Sequence, residues 1–199
     1  MSKKNLKLKV KSIFAEVVSR VFDPVWEIPL ALLLAVVFAM TEGLRWRFVG
    51  LLLFVDAVVP MVFFLMMLYH KQIKDWDIQN RLERVPLYIF TMVCHLGGMW
   101  LAHELGKGEL VSILLVYYVV AIVFLVITLF WKISLHTGVN AVLITSINCF
   151  LGWQYWYLYG ILLVVGWARV YQKHHTWQQA ALGALIGSLV VWVGLCWIV

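Results

Sequence analysis

Charge is scarce in this chain of 199 residues: Asp, Glu, Lys and Arg make up 13% of it, where a soluble domain carries about a quarter. Too few charged groups remain to cover a globular surface, which excludes a soluble fold. Prolines number four, and no Pro-, Gly- or Ser-rich stretch separates one domain from another. The three cysteines, Cys94, Cys149 and Cys196, each fall inside an apolar run with no C-x-x-C spacing. They read as small buried residues, so neither a disulfide framework nor a thiolate metal site is expected. No H-x-x-x-H or H-E-x-x-H spacing occurs, so no histidine metal site, and no cofactor, is expected. The first residues, MSKKNLKLKVKSIFAEVVSRVF, lack the uninterrupted apolar stretch of a cleavable signal peptide.

What the chain has in abundance is apolar surface, 64% of its residues, with a mean hydropathy of +0.92. Several runs approach or exceed the ~20 residues a bilayer-spanning helix needs. Seven crossings can be drawn, at 25–42, 47–69, 86–103, 109–131, 136–151, 153–170 and 178–199. The expected fold is therefore all-α, a polytopic membrane bundle of about six to seven transmembrane helices. The fifth and sixth crossings are short and joined tightly through Gly152, Trp153 and Gln154. Residues 1–23 form a separate basic segment before the single membrane domain of 24–199. Within it Phe14, Val17, Val18, Val21 and Phe22 fall mostly on one helical face, opposite the lysines. That pattern describes an amphipathic helix on an anionic leaflet, with a disordered basic tail as the equal alternative.

Three polar segments interrupt the apolar runs: residues 70–85 (HKQIKDWDIQNRLERV), 131–136 (WKISLH) and 167–178 (WARVYQKHHTWQ). Each follows an even-numbered crossing, so all three share the N-terminal side of the membrane. That side carries 13 of the 16 Lys and Arg residues and the other side Arg45, Arg47 and Lys107 alone. The positive-inside rule makes the polar face cytoplasmic. No soluble basic face remains for nucleic acid.

The three segments offer Arg81, Arg84, Lys132 and Arg169 as cations, Ser134 as a hydroxyl, and His136 and His175 as imidazoles. Forked guanidinium donors suit a phosphate. Two imidazoles suit a pair of roles, one as nucleophile or base and one as acid. At a bilayer surface such a set would act on a phosphorylated lipid, its tail among the helices. Lys71, Lys74 and Lys173 read more simply as topology signals, His70 and His174 as interfacial histidines, and Trp76, Trp131, Trp167 and Trp177 as interfacial anchors.

The order of these residues resembles the type 2 phosphatidic acid phosphatase superfamily, whose signatures are K-x6-R-P, P-S-G-H and S-R-x5-H-x3-D. The third is matched at full spacing by Ala168, Arg169, His175 and Gln179, with Gly183 following. The second is matched by Ile133-Ser134-Leu135-His136 after Lys132. The first is matched loosely by DWDIQNRLERVP, with Arg84 near Pro86 and Asp77 at the lysine position. A rival register uses Lys74 and Arg81, and Arg81 is kept as a second phosphate ligand. The resemblance spans about residues 70–187 and implies a metal-independent lipid phosphatase. In it His175 attacks phosphorus, His136 protonates the leaving oxygen, Gln179 orients His175, and Arg84, Arg169, Lys132 and Ser134 hold the phosphate. The chain departs from the pattern at Gln179 (aspartate in the family), Leu135 (glycine) and Ala168 (serine). Glutamine can accept the imidazole proton but cannot stabilise imidazolium by charge, which implies a slower enzyme or a shifted pH optimum.

Two other readings stand beside this one. A catalytically silent relative would bind lipid phosphates or scaffold a partner. A magnesium-dependent enzyme on isoprenoid diphosphates would rest on Asp75 and Asp77, but lacks a second aspartate-rich segment.

Overall fold

A computed structural model describes residues 3–39 and 46–198. Its helices are α1 (Lys3–Val21), α2 (Pro24–Ala39), α3 (Trp46–Leu53), α4 (Val59–Tyr69), α5 (Val85–Glu104), α6 (Gly108–Phe130), α7 (Leu135–Phe150), α8 (Gly160–Tyr171) and α9 (Trp177–Val193). A π-helical turn, Phe54–Val58, joins α3 to α4, and another, Gly194–Ile198, follows α9. The fold is all-α, with no strand among the described residues.

Five stretches are long and apolar enough to cross a membrane: Lys9–Ala39, Trp46–Tyr69, Arg81–Glu104, Gly108–Phe130 and Trp177–Trp197. They mark the chain as a membrane protein, and Val93, Leu163 and Leu185 on its outside show the large exposed side chains a lipid-facing surface requires. The expected crossings at 136–151 and 153–170 correspond to the shorter helices Leu135–Phe150 and Trp156–Tyr171. The second begins later than its sequence suggests because Gly152 and Trp153 both take left-handed backbone (φ +67° and +64°), which makes the connection a turn rather than helix. The ends expected at 40–42 and at 199 lie outside the described residues.

Local chemistry explains the main breaks. Pro60 has no N–H to give to the carbonyl of Asp56, and the chain absorbs the loss by widening into the Phe54–Val58 turn. Asp23 ends α1 and accepts the Val25 N–H at 3.1 Å, with Pro24 at the first position of α2.

The bundle is built around α7 and α9, which touch through small residues. A Cβ on Gly187 would stand 2.5 Å from the Gly138 carbonyl oxygen, and one on Gly183 would stand 2.5 Å from that of Ser134. Only glycine lets the two backbones approach this closely. The main core of Leu52, Leu110, Leu114, Phe124, Ile133 and Val191 fills the space between α3, α6, α7 and α9.

The N-terminal segment is a helix, not a disordered tail. α1 buries Ala15 and Val18 against Val165 and Ala168 of α8, and sets Phe14 against Trp167 with the rings tilted at 44°. Val10, Ile13, Phe14, Val17 and Val21 remain more than half exposed, a second apolar face that suits the boundary of a bilayer.

The cysteines depart from expectation. Cys149 and Cys196 form a disulfide between the far ends of α7 and the helical stretch after α9, and Cys94 is free. Their 47-residue separation carries no motif; the pairing comes from the α7–α9 contact that brings both ends together.

Candidate functional site

The knot that ends α8 is shaped by a Schellman motif. Lys173 adopts left-handed backbone (φ +61°), its N–H bonds to the Val170 carbonyl at 2.9 Å, and that of His174 reaches the Arg169 carbonyl at 3.0 Å. The chain turns back on itself, so His174 and His175 come to lie beside Arg169. Thr176 then starts α9 with a capping box: its hydroxyl accepts the Gln179 N–H, and the Gln179 side chain accepts the Thr176 N–H at 3.2 Å.

The same Gln179 Oε1 accepts from Nδ1 of His175 at 3.2 Å. This fixes the tautomer and leaves the lone pair on Nε2. His175 is 7% exposed, and its pKa is pushed down to about 2, first by burial and then by Arg84, Arg169 and Lys132. It is a neutral imidazole beside three cations. Burial likewise lowers His174, reinforced by Arg169 and Lys132, and Lys132, reinforced by Arg84 and Arg169.

Arg84 and Arg169 are both buried. Arg84 donates to the carbonyls of Ile78 at 2.8 Å and Ile133 at 3.0 Å, which ties the first polar segment to the second. Arg169 Nη2 lies 2.9 Å from Asp77 Oδ1. Ser134 caps α7, accepting the Thr137 N–H, and its own N–H donates to the Gln179 carbonyl at 3.3 Å. The three polar segments therefore meet in one cluster that unites Arg84, Lys132, Ser134, His136, Arg169, His175 and Gln179.

Arg81 stands elsewhere. Its guanidinium caps the end of α6, donating to the carbonyls of Thr128, at 2.8 Å, and Leu129. A helix C-terminus offers just such unpaired carbonyls.

Asp77 stands among the cations. Besides Arg169 it has His174 Nδ1 3.4 Å from Oδ2 and His136 Nε2 3.9 Å from Oδ1. Ile78, next in sequence, is a β-branched residue at φ +41°, a strained conformation that turns the loop so Arg84 can donate to both carbonyls, that of Asp77 at 3.4 Å.

Asp23 is a member that sequence reasoning passed over. It is buried, accepts from Trp76 Nε1 at 3.1 Å, and its Oδ2 lies 3.8 Å from His136 Nε2. Trp76, expected as an interfacial anchor, holds this carboxylate and packs edge-on against Phe64. Asn140 bonds the carbonyls of Phe22 and His136, anchoring the end of α1 to α7. An Asp-Pro pair reads as a helix start, and T-x-x-Q at 176–179 reads as a capping box. Both signals were in the sequence, but neither says what the side chain would face.

Part of this cluster lines a cavity of about 170 Å³. Asp23, Asp77, Arg84, His136 and His175 line its polar end, and Ile28, Met61, Phe64 and Leu87 continue it between the helices. Among the described residues no group of three or more His, Cys, Asp or Glu could hold a metal ion. No family model, curated protein or solved structure matches the chain.

Proposed function

We propose that this chain is an integral membrane lipid phosphatase or diphosphatase that works through a phosphohistidine. The observation that carries this reading is His175: a neutral imidazole held through Nδ1 by Gln179, with Arg84, Arg169 and Lys132 close enough to lower its pKa, lining a cavity whose other walls are largely apolar. In this scheme Nε2 forms a bond to phosphorus while the bond to the lipid oxygen breaks. Arg84, Arg169 and Lys132 offset the charge on the equatorial oxygens. His136, whose Nε2 has no hydrogen-bond partner, acts in its protonated form, which the Asp23 and Asp77 carboxylates 3.8 and 3.9 Å from Nε2 would balance. It gives that proton to the leaving oxygen, then takes one from the water that cleaves the N–P bond. The products are the lipid alcohol (or monophosphate) and phosphate.

The polar face is taken as cytoplasmic. Two observations support this: the Lys and Arg distribution, and the Cys149–Cys196 disulfide at the opposite ends of α7 and α9, since disulfides persist in oxidising compartments. A cytoplasmic mouth favours lipids made there, prenyl diphosphates in particular.

A second reading, the silent lipid-phosphate binder, has one observation in its favour: the Asp77 carboxylate already sits against Arg169 and His174, where a phosphate would have to bind. Phosphate release from prenyl diphosphate and phosphatidate, in detergent with EDTA, separates the readings. Release by wild type that His175→Ala loses is the expected result. No release by folded wild type, with magnesium giving no rescue, favours the silent binder, and release that appears only when magnesium replaces EDTA favours the magnesium enzyme.

A further inference from the structure

Halfway along the second membrane-crossing stretch, the Phe54–Val58 turn directs a carboxylate into the protein. Asp56 is 3% exposed, and a Cβ on Gly98 would lie 2.6 Å from it, so α5 has glycine where the carboxylate needs room. Its partner is His95 of α5, with Nδ1 2.9 Å from Asp56 Oδ2 and Nε2 2.9 Å from the Leu114 carbonyl. That carbonyl can only accept, so Nε2 carries a proton and a second proton lies between Nδ1 and Oδ2. In either arrangement, ion pair or neutral pair, Asp56 Oδ1 remains an acceptor, and it has no hydrogen-bond partner.

An unpaired carboxylate oxygen inside a membrane protein is costly and points to function. Asp56 lines the same cavity as His136 and His175, and also a neighbouring cavity of about 210 Å³ bounded by His95, Tyr88 and Tyr117. Ten residues of α5 separate Val85, at the site, from His95, about 15 Å along the helix. A lipid phosphate bound at His175 would send its chain past Asp56.

We propose that Asp56 is a second, membrane-depth subsite that recognises a hydrogen-bond donor, a hydroxyl or amide N–H, carried on the lipid chain about 15 Å from the phosphate. The proposal rests on the reading that an alkyl phosphate occupies this cavity. A purely apolar chain, a prenyl chain included, would be accepted but leave Oδ1 unpaired, whereas a donor at that depth would satisfy it with a bond to a carboxylate, among the stronger hydrogen bonds, and so bind in preference.

The test is thermal stabilisation of the full chain in detergent by three probes: dodecyl phosphate, ω-hydroxydodecyl phosphate and ω-methoxydodecyl phosphate. It needs no turnover. The hydroxyl probe is expected to bind about tenfold more tightly than the other two, the size of one such bond. In Asp56→Leu the order should reverse, with dodecyl phosphate tightest, and binding of that probe also reports that the variant is folded. Dodecyl phosphate binding to wild type as well as the hydroxyl probe overturns the subsite alone. Stabilisation by none of the three overturns the cavity reading and the subsite with it.

Discussion

At the scale of single residues, the chemistry turns on what surrounds His175. Its Nδ1 is bonded to an amide where a carboxylate would add charge. Gln179→Asp should therefore raise phosphate release by about tenfold or more, because a carboxylate stabilises the positive charge the ring takes on as Nε2 bonds phosphorus; equal rates would refute this role. The pKa of His175 near 2 against an ordinary 6.5 also has a consequence for stability. Above 6.5 both folded and unfolded chains hold it neutral and nothing changes with pH. Below that value the unfolded chain takes the proton and the folded one does not. Stability should then fall by about 1.4 kcal/mol per pH unit for this group. Unfolding titrations at several pH values should show a shallower acid slope in His175→Ala. Asp77 is the other decisive residue, since it already pairs with Arg169, a proposed phosphate ligand. Asp77→Asn should bind inorganic phosphate about tenfold more tightly by calorimetry, and unchanged affinity would mean the carboxylate does not occupy the phosphate position.

Among the elements, contact between α7 and α9 organises the rest. It sets Ser134 against Gln179 at one end and Cys149 against Cys196 at the other. The approach depends on glycine. Gly187→Ala should lower stability by roughly 2 kcal/mol, because its Cβ would meet backbone that cannot yield cheaply. Gly50, with nothing within 4 Å of its Cβ position, provides the control: Gly50→Ala in α3 should be neutral or slightly stabilising in the same unfolding assay. α1 has a related part. It packs on α8, leads through Phe22 to Asp23, and is bonded to α8's end through Ser19 and Gln172 at 2.7 Å, so the N-terminal helix is mechanically continuous with the site.

For the whole molecule, sidedness is the property to measure. Membrane-impermeant maleimide applied to intact cells should fail to label Lys173→Cys and should label it after permeabilisation. Labelling from outside would reverse the orientation and with it the preference for cytoplasmic lipids. Alkylation of the denatured, unreduced protein should modify Cys94 alone, and reduction should expose Cys149 and Cys196 as well.

The sequence alone determined the all-α membrane fold, because a run of apolar residues dictates a helix wherever backbone groups cannot bond to water. It also determined the N-terminal helix's apolar stripe and the candidate cations and imidazoles of the three polar segments, since these follow from residue type and spacing. Which of them meet was decided only by tertiary structure. Arg84 and Arg81 lie three residues apart, yet one turns into the cluster and the other caps α6. Asp23 gains its place beside His136 because α2 and α7 pack together, and the disulfide exists because α7 and α9 end side by side. Asp56 gave no sign of a partner until the widened turn before Pro60 set it against His95. Periodicity reports which face of a helix is apolar. It does not report which neighbour that face will meet, and a buried polar group takes its meaning from the neighbour.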